Sequence, residues 1–244
     1  MPFDTRGNLV FKGNFASAYR VPSFDDLFWP SSAFAVGNPN LEPEQALTWD
    51  AGFFWSALPW LTVEAHYFEE YVKDLIQWTP NPAGQWSPAN IGSVEKRGAD
   101  VSLSGTAVTS GERWTVSYRA GYSFLSAENT TSGSTYGCQL PFRPYHSADG
   151  YVQISHHSGM KGGFSASYMG FRWLTAENTK FIPSYIVLGS YLSFQVLPGA
   201  VIKLSLDNIL DREYYDVQYY PVPGRTVSLS LSYRPNKPSG TEVR

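Results

Sequence analysis

Residues 114–124 read Trp114-Thr115-Val116-Ser117-Tyr118-Arg119-Ala120-Gly121-Tyr122-Ser123-Phe124. Trp114, Val116, Tyr118, Ala120, Tyr122 and Phe124 share one parity, and Thr115, Ser117, Arg119, Gly121 and Ser123 take the other. A period of two sends successive side chains to opposite faces of a β-strand, whereas a helix needs a period near 3.6. This segment is therefore a strand with one greasy face and one wet face. The last pattern is equally regular, with Val227, Leu229, Leu231 and Tyr233 set against Thr226, Ser228, Ser230 and Ser232. The alternation recurs in Leu47, Trp49, Ala51, Phe53 and Trp55, in Leu61, Val63, Ala65 and Tyr67, and in Ala99, Val101 and Leu103. Weaker versions begin at Leu9, Tyr151, Phe164, Ile186 and Ile202.

Ten strands are expected, at about 8–19, 45–55, 60–77, 93–108, 112–125, 146–157, 161–173, 184–196, 200–209 and 224–233, with bounds good to about 2–4 residues. Tight turns at Ala57-Leu58-Pro59, Thr109-Ser110-Gly111, Ser158-Gly159-Met160 and Leu197-Pro198-Gly199 alternate with long loops. These loops fall around residues 20–44, 78–92, 126–145, 174–183 and 210–223. A transmembrane barrel has this asymmetry, with short turns in the periplasm and long loops outside. Hydrocarbon cannot satisfy backbone N–H and C=O groups, so membrane strands must pair around a closed ring. A soluble β-sandwich also alternates, but its strands are commonly about 5–6 residues, and several segments here reach the roughly 9–11 that membrane spanning needs. The fold expected is all-β, an antiparallel transmembrane β-barrel wall.

Composition narrows the function. Only 16% of the 244 residues are charged, against a usual share of about 25%. Another 16% are aromatic, with 8 Trp, 16 Tyr and 15 Phe, which suits girdles at a membrane interface. A net charge of -3 gives no reason to expect nucleic acid, which favours a basic patch. Cys138 is the only cysteine, so neither an internal disulfide nor a thiolate zinc cluster can form. No apolar run reaches the ~18–20 residues of a spanning helix. The first residues lack a basic start and the apolar core of a signal sequence, so either export was lost or the front is missing.

Three stretches carry a family resemblance. The first is Ala18-Tyr19-Arg20-Val21-Pro22-Ser23-Phe24-Asp25-Asp26-Leu27-Phe28, followed by Gly37-Asn38-Pro39-Asn40-Leu41-Glu42-Pro43-Glu44. It resembles the R-x-P-s … GNPxLxPE loop of TonB-dependent receptors. The second, Asn90-Ile91-Gly92-Ser93-Val94-Glu95-Lys96-Arg97-Gly98-Ala99-Asp100, is similar to the family's asparagine-initiated strand. The third runs Leu206-Asp207-Asn208-Ile209-Leu210-Asp211-Arg212-Glu213-Tyr214-Tyr215, then Tyr220-Pro221-Val222-Pro223-Gly224-Arg225-Thr226, and resembles the family's NLFDxxYY … PGR ending. The resemblance implies an outer-membrane receptor whose whole barrel has roughly 22 strands and a plugged lumen. This chain would supply about ten C-terminal strands, without the plug and without the upstream segment that engages TonB. Active import of a scarce nutrient, of the siderophore-iron or cobalamin class, would then need the missing part. Outer-membrane lipid and a small-molecule nutrient are the implied partners, with TonB reached only through the missing N-terminal region. The chain departs from the family after Tyr233, where residues 234–244 read as an unstructured tail rather than a closing aromatic.

Both architectural and binding roles are open to these residues. Pro39, Pro43, Asn38 and Gly37 are turn formers that can hold a long loop in a defined path over the mouth. Asn208 and Asp211 are expected to bond local backbone, and Gly224 to adopt angles denied to other residues. No catalytic constellation, cofactor site or metal site emerges. His156 and His157 are expected on opposite faces of a strand, and Glu64, Glu69, Glu70, Asp74 and Asp100 read as a charged lumen wall rather than paired acid and base. Loop aromatics offer stacking area at low entropic cost. Phe28, Trp29, Trp86 and Tyr136 are the ligand-contact candidates. The competing functions are a passive porin formed by a closed ten-strand barrel, a soluble β-sandwich binding module and a barrel-borne hydrolase.

Overall fold

In a computed structural model the described residues are 7–108, 111, 113–217 and 220–234. The chain forms β1 (Leu9–Arg20), α1 (Phe24–Phe28), β2 (Glu44–Leu58), β3 (Leu61–Lys73), β4 (Ile76–Pro80), β5 (Trp86–Asn90), β6 (Val94–Val108) and β7 (Trp114–Asn129). It continues with β8 (His146–His156), β9 (Lys161–Met169), β10 (Arg172–Trp173), β11 (Phe181–Ile182), β12 (Tyr185–Leu197) and β13 (Ala200–Asp207). The described part ends with β14 (Tyr215–Val217), β15 (Tyr220–Pro221) and β16 (Thr226–Tyr233). Ten of these make one sheet in the order β1-β2-β3-β6-β7-β8-β9-β12-β13-β16. Every neighbouring pair is antiparallel.

Register turns the sequence alternation into two continuous faces, because directly opposed residues of an antiparallel pair lie on the same side. One row runs Phe11, Phe53, Ala65, Val101, Tyr122, Ala148, Tyr168 and Ile186, and the same face continues through Leu192, Leu204 and Leu229. The adjacent row on the other side is Lys12, Gly52, His66, Asp100, Ser123 and Ser147. Among the described residues no second large sheet covers the apolar face, since the other sheets are two-stranded. The buried core is correspondingly small, with Val72, Val94, Ala127 and Leu140 packed beneath the long loops. A β-sandwich would bury its apolar side against its own chain, and the described residues do not.

β1 pairs only with β2 and β16 only with β13, so among the described residues the sheet keeps two open edges. The closed ten-strand barrel is therefore not formed. The expected 60–77 strand breaks where Asp74 takes φ 56°, and the chain restarts as the β4–β5 hairpin inside a segment expected to be loop. The expected 161–173 strand likewise stops at Met169, and Arg172–Trp173 joins a separate hairpin with β11. β7 runs longer than expected, and its 16 residues span roughly 50 Å at about 3.3 Å each. That exceeds the roughly 9–11 residues that membrane spanning needs. The expected 109–111 turn falls mostly outside the described residues, with Gly111 at φ 83°, and the expected tail lies outside them beyond Arg234.

Large polar-face side chains lie flat across glycines. The Tyr191 ring covers Gly163, the His66 ring covers Gly52 and the Phe68 ring covers Gly98, each where a Cβ would collide with the ring. Tyr191 is held there by donating to Gln153 Oε1 (2.5 Å), with Lys203 Nζ 4.6 Å from its ring centroid. Gly163→Val in the full-length protein is expected to lose about 1–3 kcal/mol by overpacking. On the apolar face Val101→Arg is expected to lose about 2–4 kcal/mol. Urea midpoints in lipid vesicles check both, and an unchanged midpoint for Val101→Arg would contradict lipid contact on that face.

Candidate ligand-binding rim and its clamp

The long-loop rim is organised by a polar clamp built from the first motif. Ser23 caps α1, its hydroxyl accepting from Asp26 N (3.1 Å) while Asp26 Oδ2 accepts from Ser23 N (3.0 Å). This is a capping box with aspartate in the third helical position. Asp26 is buried, and its other oxygen accepts from the Trp78 indole N–H (3.0 Å) on β4. Arg20, at the end of β1, forks onto Glu44 at the start of β2, with Nε–Oε2 at 2.8 Å and Nη2–Oε1 at 2.6 Å. Its Nη1 lies 3.6 Å from Asp26. Glu44 Oε1 also accepts from Ile76 N (2.7 Å). A guanidinium fork matches a carboxylate bidentately, so one arginine ties the β1–β2 loop to the base of the next hairpin.

Asparagines extend the clamp. Asn90 donates to Glu42 O (2.9 Å) and Asp74 O (2.6 Å) and accepts from Glu42 N (2.9 Å). Asn38 donates through its side chain to Pro88 O (3.1 Å). Gly37 serves close approach, since a Cβ there would sit 2.5 Å from Trp29 N. Trp86 is fixed by its backbone, with Trp86 N donating to Phe34 O (2.7 Å) and Val36 N donating to Trp86 O (2.9 Å). Trp29 meets Trp78 edge-on at 6.0 Å.

Phe28, Trp29 and Trp86 thus belong to one braced module. Tyr136 sits on a separate loop whose turn closes through Tyr136 N to Gly133 O (3.2 Å). Their exposures of 53%, 45%, 52% and 67% leave all four rings available. Sequence reasoning missed the pairing of Arg20 with Glu44, the burial of Asp26 and the Trp78 contact, although the first two lay inside the quoted motif. It also missed a second aromatic group, in which Phe171 lies 5.5 Å from Trp173, 6.1 Å from Phe181 and 5.9 Å from Tyr145. No periodicity marks it, because two short hairpin strands and a loop bring it together.

Other expectations are corrected. His156 ends β8, so His157 is free of the strand's alternation and the two rings touch at 4.2 Å. Among the described residues no group of three potential metal ligands forms. Glu64, Glu70 and Asp100 share the polar face, but Glu69 lies on the apolar side, accepting from Trp49 (3.1 Å), Tyr67 (2.6 Å) and Tyr71 (3.3 Å). Asp74 lies past the end of β3. Asn208 does close a local loop, donating to Arg212 O and accepting from Arg212 N, both at 2.9 Å. Asp211 Oδ1 accepts from Arg225 N (2.8 Å). Gly224 is needed for space rather than for unusual backbone angles: a Cβ there would lie 2.9 Å from Asp211 Oδ1, and Asn208 and Asp211 take the positive φ instead.

Comparison with known proteins matches residues 3–209 to the family described as TonB dependent receptor-like, beta-barrel. The chain belongs to the TonB-dependent receptor family. It is 25% identical over 233 residues to the vitamin B12 transporter BtuB of Vibrio vulnificus strain YJ016, covering 92% of this chain and 35% of that protein. The copper transporter OprC superposes with a TM-score of 0.74 at 16% identity, over 94% of this chain and 37% of that one. The siderophore receptor PiuA of Acinetobacter baumannii gives 0.71 at 21%, over 95% and 34%. The chain thus spans about a third of the length of these relatives. It is part of the barrel of an outer-membrane receptor.

Burial alone would raise the Asp26 carboxyl, but the Ser23 hydroxyl and amide, the Trp78 indole and Arg20 outweigh it and hold its pKa below the ordinary carboxylate value. A depressed carboxylate stabilises above its unfolded pKa and loses that contribution as pH falls through its folded value. The clamp is therefore expected to hold at neutral pH and to loosen below about pH 4. Hydrogen exchange of residues 23–38 as a function of pH checks this, and Asp26→Asn should loosen the same segment at neutral pH.

Proposed function

We propose that this chain forms the C-terminal wall and part of the outer mouth of a receptor for active uptake of a scarce small nutrient, of the siderophore-iron or cobalamin class. The observation that carries the reading is the braced rim. Arg20, Asp26 and Glu44 lock the β1–β2 loop to the β4–β5 hairpin, directly above a sheet whose one side is polar and whose other side is apolar. Preorganised aromatic rings lose little entropy on binding. The names of the relatives point the same way, since BtuB is a vitamin B12 transporter and PiuA a siderophore receptor.

In this reading Phe28, Trp29, Trp86 and Tyr136 contact the nutrient, and no residue performs bond chemistry or holds a cofactor. The plug and the TonB-engaging segment belong to the rest of the receptor, and this chain alone does not transport. The open edges β1 and β16 are the seams to the remaining strands. Trp29→Ala and Trp86→Ala in the full-length receptor are expected to weaken nutrient binding about 10-fold each, the scale of an aromatic anchor. Titration calorimetry with a cobalamin and with ferric siderophores checks this; unchanged affinity for every ligand that binds would defeat the assignment. The chain by itself should give no stable conductance in planar bilayers, whereas a steady open pore would restore the porin reading.

A further inference from the structure

An outward groove lies above the apolar belt at the β1–β2–β3 corner. Its lining includes Ser17, Leu47 and Tyr71, which form one cross-strand row, and Tyr19, Gln45 and Lys73, which form the next. Both rows have the parity of Phe11, Phe53 and Ala65, so the groove opens on the lipid side of the wall and not into the lumen. Its volume is about 610 Å³.

The groove begins where the wall changes chemistry. Descending the same face, Trp49 pairs with Glu69 and Glu69 with Arg97, then Ala51 with Tyr67 and Tyr67 with Ala99, and then comes the purely apolar row of Phe53, Ala65 and Val101. Aromatic rings with hydrogen-bonding tips, set between an apolar belt and charged residues, mark the interface between hydrocarbon and headgroups. Below it the wall needs acyl chains, and above it the wall needs polar partners. Glu69 is occupied by its three aromatic donors, and Glu95 lies 3.6 Å from Arg97. Among the described residues Lys73 is in no ion pair, and it is exposed at the groove.

We propose that this groove seats the phosphorylated headgroup of an outer-leaflet lipid. Lys73 meets the phosphate, the exposed rings of Tyr19 and Tyr71 flank the polar head, and Leu47 receives the start of the acyl chains. Those chains then run down over Ala51 and Phe53. Charge complementarity and continuity with the lipid-facing belt both select this occupant over a soluble nutrient, which would have to be captured on the luminal side.

The test uses the full-length receptor in nanodiscs of phosphatidylcholine doped with diphosphoryl lipid A, followed by detergent extraction and native mass spectrometry of the lipid that remains bound. Lys73→Gln is expected to lower retained lipid A about fivefold, the scale of one basic residue at a membrane surface, with Lys73→Arg retaining it and Tyr19→Ala lowering it in part. Nutrient affinity should not change in any of these variants. Equal retention in Lys73→Gln and the parent, or a loss of nutrient binding in place of lipid, would overturn the assignment. Heat-modifiable migration on gels confirms that each variant is folded before it is scored.

Discussion

Hydrocarbon offers no hydrogen-bond partner to a backbone amide or carbonyl, and everything else in this protein follows from meeting that constraint with β-strands. Each strand must satisfy its main chain sideways. Lipid then meets only side chains, and a period of two places apolar ones outward and polar ones inward. The continuous row from Phe11 to Ile186 is this constraint written across eight strands. It also explains the slight conventional core. Among the described residues the apolar side chains of the long strands are mostly exposed, and the clustered core is the small one around Val72 and Val94.

The outer rim obeys different physics. There the chain leaves the sheet and must satisfy its polar groups within loops, so ordering comes from side chains that bridge distant segments. Arg20 and Glu44 are 24 residues apart in sequence, and Asp26 and Trp78 are 52 apart, yet four charged or aromatic groups converge on one spot. A charge-assisted fork and a buried, fully engaged carboxylate make the loop stiff at neutral pH. The same contacts brace the loop that carries Trp29, which meets Trp78 edge-on, and so tie the strand register below to the arrangement of the rim above.

The lipid side is itself graded along the strands. Glu69 stands on the same side as Phe53 and Val101, which is tolerable only because Trp49, Tyr67 and Tyr71 occupy its oxygens. Its position marks the height at which the outward face changes from purely apolar to mixed. The strands of up to 16 residues continue past that height, so part of the outward surface is polar.

The ten long strands, the parity of their apolar rows and most of the alternation of short and long connections were legible in the sequence, because they depend on neighbours one or two positions away, whereas the outward facing of Glu69 and the breaks at Asp74 and after Met169 were not. Trp114 to Phe124 and Val227 to Tyr233 needed nothing more. The motifs around Arg20, Asn90 and Asn208 were visible too, and pointed to the family. What only tertiary structure decided was which distant residues meet: Arg20 with Glu44, Trp78 with Asp26, Phe171 with Phe181, and His156 with His157 once the strand had ended. It also decided that Gly224 yields space while Asp211 bends the backbone, and that β1 and β16 stay apart. Periodicity records the direction in which a side chain points relative to its own strand, but the meeting of two loops depends on the twist, length and register of every strand between them, and those are set only when the whole sheet assembles.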